Sequence, residues 1–170
     1  MNNSSSKLGP DYKTLVSVGN AKQHFTRFLN LIHKQLACLP RPILIQHGHT
    51  PFESNDCDLI DFINMDQFCY YVEHAEILLL HAGAGSILHS LRAGKCPIIM
   101  PRQAKYKEHV NDHQVDFAQA LSEEGKVILI QDDCDLQYEI LNSKKMKNIS
   151  TNNFSQAEKI MKEVLNNLLG

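Results

Sequence analysis

The chain has 170 residues, with 17 Lys and Arg against 19 Asp and Glu, so its net charge is −2 with the histidines neutral. One domain is the expectation at this length, and 43% hydrophobic with 21% charged residues describe a globular chain, not a disordered one. The near-neutral balance argues against a nucleic-acid partner, whose phosphates require many Lys and Arg, and no run approaches the roughly 20 apolar residues that span a bilayer.

Residues 1–12 read as a flexible tail: they are Ser- and Asn-rich, close on Gly9-Pro10-Asp11, and lack the apolar segment that export needs. The domain is expected over 13–170. Residues 15–18 (Leu-Val-Ser-Val) predict a strand ending at Gly19-Asn20. Phe25, Phe28, Leu29, Ile32 and Leu36 then recur at helical spacing. A second strand, 42–46, runs into the polar turn His47-Gly48-His49-Thr50-Pro51. A third apolar stretch covers 59–63 and precedes a helix near 67–74. Residues 76–81 (Glu-Ile-Leu-Leu-Leu-His) are the most apolar run. The run is too short for a helix and suits a strand buried on both faces. Strands of the same kind are expected at 97–100 and 126–130, with helices near 86–93 and 111–124. At the C-terminus Phe154, Ala157, Met161, Val164, Leu165 and Leu168 again follow helical spacing, opposite Lys159, Lys162, Glu163 and Asn167. Such a helix packs on its own sheet or docks on a partner. The alternation of strand and helix predicts an α/β fold, a Rossmann-like and mostly parallel sheet with helices on both faces.

Cys38, Cys57, Cys69, Cys96 and Cys134 are odd in number, scattered, and never arranged as Cys-x-x-Cys. They read as reduced thiols of a cytoplasmic protein, and no metal site is expected from them.

In an open parallel sheet, ligands bind beyond the carboxyl ends of the strands. The loop after the most buried strand reads His81-Ala82-Gly83-Ala84-Gly85-Ser86-Ile87-Leu88-His89. Its glycines let the backbone approach a ligand. The helix beginning near residues 84–86 aims free N–H groups at an anion, with the Ser86 hydroxyl as a further donor. A phosphate or diphosphate fits; tight packing alone would also explain two glycines. The dinucleotide fingerprint needs a small residue where Leu88 stands, and no P-loop pattern occurs.

The second polar cluster, 101–114, leaves a strand and enters a helix, carrying Arg102, Glu108, His109, Asn111, Asp112, His113 and Gln114. Carboxylates, amides and imidazoles suit a hydroxyl-rich ligand. Asp112 or Asn111 serves equally well as a helix N-cap. His109 and His113 are four apart, as metal ligands on one helix face are, but Val110 stands where the zinc-protease pattern needs Glu. His47 and His49 suit either a cleft mouth or plain solvent exposure.

Several segments, in this order, resemble one family: Ser17-Val18-Gly19, Phe25-x-Arg27, Gln46-x-Gly48-x-Thr50, His81-Ala82-Gly83-Ala84-Gly85-Ser86, Gly94-Lys95-x-Pro97, Pro101-Arg102, and Glu108-His109-x-x-Asp112-His113-Gln114. Over roughly residues 15–130 the chain is similar to the C-terminal domain of family 28 glycosyltransferases. The likeness is to small stand-alone donor-binding subunits, as in dolichol-linked UDP-N-acetylglucosamine transferases and in bacterial capsule and exopolysaccharide synthesis.

The resemblance implies one half of a GT-B architecture, holding a UDP-sugar. Gly83, Ala84, Gly85 and Ser86 would meet the diphosphate, with His81 close by. Asp112, His113 and Gln114 would meet sugar hydroxyls, Arg102 and Glu108 would line the site, and Gly19 and Asn20 would form a loop on the cleft side. His89 occupies a position where relatives often carry an acid for the ribose; an imidazole still hydrogen-bonds a hydroxyl but loses the bidentate grip. Asn20 stands where Thr is more usual.

No cofactor is expected, the UDP-sugar being the donor substrate. Transfer of a hexose or N-acetylhexosamine to a lipid-linked acceptor requires a base near the acceptor hydroxyl and stabilisation of the leaving UDP. The resemblance places the acceptor site in a membrane-anchored partner subunit, holding this chain at the cytosolic membrane face. A non-catalytic nucleotide-sugar-binding or activating subunit is the alternative.

Overall fold

A strand flanked by helices on both faces of its sheet must be apolar on both sides, because no water reaches either. The computed structural model describes residues 9–146 together with Lys162 and Asn166, and its strands, the partly exposed edge strand at 58–60 excepted, obey that demand. They are β1 (Thr14–Ser17), β2 (Ile43–Gln46), β3 (Asp58–Ile60), β4 (Ile77–His81), β5 (Ile98–Met100) and β6 (Ile128–Leu129). The helices are α1 (Thr26–Lys34), α2 (Met65–His74), α3 (Ala84–Arg92), α4 (His113–Glu123) and α5 (Leu136–Met146).

All strand pairs are parallel, in the order β3-β2-β1-β4-β5-β6. Side chains alternate across the sheet. Val16, Ile45, Leu79 and Ile98 join Phe28 and Ile32 of α1 and Leu136 and Ile140 of α5 on one face. Leu15, Leu44, Leu78, Leu80 and Ile99 join Tyr71 of α2, Ile87 of α3 and Phe117 of α4 on the other. The chain is therefore Rossmann-like, with helices on both sides of the sheet. β1 and β4 are neighbours in the sheet, but one begins a series running to β3 and the other a series running to β6. The order reverses between them, which opens a crevice at their carboxyl ends.

Two departures from the sequence expectations have physical causes. The tail expected over 1–12 gives way to packed structure by Tyr12, which is buried, stacks edge-on against Tyr71, and donates its hydroxyl to Asp58 at 2.8 Å. Helix α5 was not anticipated: exposed Tyr138 and Leu141 and buried Ser143 blur its apolar stripe. It has a start signal, since the Asp135 carboxylate accepts from the Gln137 and Tyr138 N–H groups at 2.9 and 3.3 Å. The apolar stripe from Phe154 to Leu168 lies outside the described residues; Lys162 and Asn166 are helical and exposed.

Among the described residues, no helix is long and apolar enough to cross a membrane. The five cysteines are free thiols.

Candidate functional site

The crevice between β1 and β4 holds a cavity of about 460 Å³. Ser17, Gly19 and Asn20 enter it from the end of β1, Gln46 from β2, and His81 from β4. Gly83, Gly85, Ser86 and His89 close it from the start of α3, while Ile63, Asn64, Met65 and Phe68 form the opposite wall. Among the described residues, no Lys, Arg, Asp or Glu lines this cavity.

The β1 loop is held by a buried amide. Gln46 accepts from the Ser17 hydroxyl at 2.6 Å and the Gly19 N–H at 3.1 Å, and donates to the Gly19 and Asp61 carbonyls at 3.0 and 2.9 Å. Every polar atom of the Gln46 amide is engaged, so the loop is fixed from beneath. Gly19 has φ +75°, a conformation open to glycine at no steric cost.

Helix α3 begins at Ala84 behind Gly83, and no side chain caps it. Its first-turn N–H groups thus keep their hydrogen-bonding capacity, and its positive dipole end meets the cavity. Gly85 has open space where a side chain would stand, with no atom within 4 Å. Ala84 packs its methyl toward the core and offers the site only its backbone. His89 follows one turn after Gly85; its Nδ1 lies 3.5 Å from the Cys69 thiol, and its ring meets Phe68 edge-on.

His81 sits between the two glycine segments. A side chain on Gly19 would place its Cβ 2.5 Å from the His81 ring, and one on Gly83 would place it 2.2 Å from Nε2. The ring's Nδ1 is buried without a hydrogen-bond partner. Burial pushes the imidazole down to about 4, the Arg102 charge and His109 push the same way, and the Ser17 backbone offsets a little of this. His81 is therefore neutral at pH 7.

Arg102 and Glu108 do not line this cavity, contrary to the expectation for them. Arg102 is wholly buried: it donates to the Gln23 and Val18 carbonyls at 2.8 Å and the Glu108 carbonyl at 3.2 Å, and covers the Phe25 ring at 4.6 Å. Desolvation lowers its guanidinium to about 10, which still leaves it cationic at pH 7. The Glu108 carboxylate turns to Arg27, accepting Nε at 3.0 Å and Nη2 at 2.8 Å, and to the Gln103 N–H. These contacts tie the loop after β1 to the loop after β5 and to α1. The Arg102 Nη groups and the Glu108 carboxylate are thus partnered, while the Arg102 Nε is buried without a hydrogen-bond partner.

Asp112 occupies the N-cap position of α4, yet its carboxylate accepts from the Ala104 N–H at 2.8 Å and does not cap the helix. Asn111 takes a comparable local role, accepting from the His113 N–H at 3.2 Å. Gln114 accepts from the Arg102 N–H at 3.2 Å, and the His113 side chain is exposed. The structure thus gathers Gly19, Asn20, His81, Gly83, Gly85, Ser86 and His89 around one cavity. Asp112, His113 and Gln114 stand on a separate loop and helix start, where Gln114 accepts from the Arg102 backbone. Sequence reasoning passed over the far wall (Ile63, Asn64, Met65, Phe68) and gave Gln46 no role in the site. For Gln46 a signal existed: an amide closing an apolar strand must find partners.

The family model described as the glycosyltransferase family 28 C-terminal domain matches residues 14–167. Among solved structures, the fold is similar to the kitacinnamycin glycotransferase at 13% identity and TM-score 0.64, covering 96% of this chain and 43% of that one. It is also similar to Acinetobacter baumannii MurG at 16% identity and TM-score 0.54, covering 91% and 51%. A third is the UDP-GlcNAc 2-epimerase of Methanocaldococcus jannaschii, at 14% and 0.50, covering 86% and 41%. The chain thus spans about half the length of these proteins or less. No match was found among curated protein sequences.

Proposed function

The chain belongs to the glycosyltransferase family 28 C-terminal domains, and from that premise we propose that it binds a UDP-sugar and passes the hexose or N-acetylhexosamine to a lipid-linked acceptor. The observation that carries the reading is the uncapped start of α3 facing the cavity at the reversal point of the sheet. Backbone N–H groups and a helix dipole there suit a diphosphate both as a ligand and as a leaving group. The fold's likeness to a UDP-GlcNAc 2-epimerase favours a UDP-sugar over other diphosphates. Gly83, Gly85, Ser86 and His81 take the diphosphate in this reading, and Gly19 and Asn20 border it. His89 takes the ribose, and Asp112, His113 and Gln114 take sugar hydroxyls.

The acceptor site belongs to a membrane-anchored partner, which would hold this chain at the cytosolic membrane face. One observation also favours a second reading, a donor-binding subunit whose chemistry lies wholly in the partner: the cavity lining offers no carboxylate to act as the base. The experiment is UDP-sugar binding and sugar transfer, each with and without the co-expressed partner. UDP-sugar binding by the chain with transfer only in the complex is expected. Tight NAD binding with no UDP-sugar binding overturns both readings. Transfer that survives removing every imidazole and carboxylate of this chain's two polar clusters supports the second.

A further inference from the structure

We propose that His81 takes up a proton when a UDP-sugar binds, so that an imidazolium, not a neutral ring, faces the bound diphosphate; this rests on the UDP-sugar reading above. The argument begins with charge. A sugar-linked diphosphate carries two negative charges, and among the described residues the cavity that would hold it has no Lys or Arg in its lining. The start of α3 supplies about half a positive charge. His81 and His89 are the cavity-lining side chains able to become cations.

Of these two, His81 is placed for the purpose. It lines the cavity and is packed between Gly19 and Gly83, whose lack of side chains makes room for its ring beside the loop that leads into α3. A hydrogen bond between the ring and the Ser17 backbone favours its protonated form. His89, by contrast, already faces the Cys69 thiol through Nδ1.

The charged or titratable groups acting on His81 are Arg102, just beyond β5, and His109 in the loop before α4; His89 on α3 lines the same cavity. Ser17 of β1 contributes backbone only, Gln46 of β2 and Asn64 before α2 are uncharged, and no carboxylate lines the cavity. Burial and these surroundings hold the imidazole neutral. Two phosphate charges outweigh the single one on Arg102. Opposite charge within about 4–6 Å raises a titration by roughly 1–3 pH units, enough to carry His81 from about 4 to near neutrality. The diphosphate of a UDP-sugar is esterified at both ends and does not itself titrate there, so any proton gained belongs to the protein.

The test is calorimetry of UDP-N-acetylglucosamine binding to the full chain at pH 6, in two buffers of different ionisation enthalpy, with Kd followed from pH 7.5 to 5.5. Uptake of about half a proton or more is expected, with Kd tightening by about tenfold across that range. His81→Asn should flatten both readings, and His89→Gln should leave the proton count in place. Binding without proton exchange overturns the inference and leaves the UDP-sugar reading standing. Uptake that persists in His81→Asn and vanishes in His89→Gln overturns it as well. Absence of binding by the chain, alone or with its partner, overturns the reading beneath it. Should His81→Asn fail to fold, nitrogen NMR of the His81 ring in the wild-type chain reads the same change directly.

Discussion

Gly83 and His81 are in such close contact that a single added methyl on Gly83 would stand 2.2 Å from the imidazole Nε2. The backbone of Gly83, with φ −78°, accepts any residue, so the requirement for glycine is one of space. Gly83→Ala must drive the ring out of its position. Overpacking of this kind costs about 1–3 kcal/mol, and losing one charge-assisted hydrogen bond to a ligand costs about 1.5–3 kcal/mol. The expected outcome is a folded chain with a slightly lowered Tm and UDP-sugar binding weakened at least about tenfold. Calorimetry and thermal unfolding on the same sample check both parts.

Gly85 gives the opposite case. Nothing stands within 4 Å of where its side chain would begin, and it lies in the first turn of α3. Gly85→Leu should leave stability unchanged or raise it by up to about 1 kcal/mol, since leucine favours helix over glycine. Yet the side chain projects into the cavity and occupies the space assigned to the diphosphate. Loss of UDP-sugar binding by about 100-fold or more is expected, about 2.7 kcal/mol. Retained binding and transfer in this variant would place the diphosphate elsewhere.

What the sequence disclosed follows from what physics makes periodic. β4 was readable because all its residues but the last are buried, and a doubly covered strand has no polar face to interrupt it. The glycine loop was readable because a strand, two glycines and a helix start occur together in one short stretch. Arg102 and Glu108 were misplaced because charge is a surface or site signal in a sequence. In the folded chain the Arg102 guanidinium instead donates to the carbonyls of Gln23, Val18 and Glu108, three partners that no local spacing announces. Likewise the far wall at Ile63, Met65 and Phe68 comes from a separate crossover, and no spacing rule links it to residues 81–89. The site is therefore legible where one local segment builds it and illegible where distant segments meet.

The Arg27–Glu108 pair predicts an asymmetry in stability. Glu108 is 3% exposed and holds Arg27 through two hydrogen bonds, whereas Asp132, 49% exposed, meets the same guanidinium at 2.5 Å from the solvent side. Removing the buried carboxylate leaves the guanidinium with the exposed Asp132 as its remaining ionic partner and costs up to about 3–5 kcal/mol, while an exposed pair is worth about 0–1 kcal/mol despite its short distance. Glu108→Gln should lower the urea midpoint strongly and Asp132→Asn hardly at all. Equal effects would mean that Glu108 does not anchor this region.

Acid sensitivity of the unliganded chain follows from His81 itself. Its ring titrates near 4 in the folded state against an ordinary 6.5, so below pH 6.5 the unfolded chain binds the proton first. Stability is fully present above pH 6.5 and declines as the pH falls toward 4, by on the order of 3 kcal/mol for a shift of this size. His81→Asn should remove this part of the slope, and a saturating UDP-sugar should flatten it near pH 6, because a ligand that raises the ring's titration toward the unfolded chain's ordinary 6.5 shrinks the difference in protons bound. Urea unfolding at pH 7.5, 6 and 5, with and without ligand, measures each slope. A wild-type slope unchanged in His81→Asn would assign the acid sensitivity to other groups and leave the neutral ring without energetic consequence.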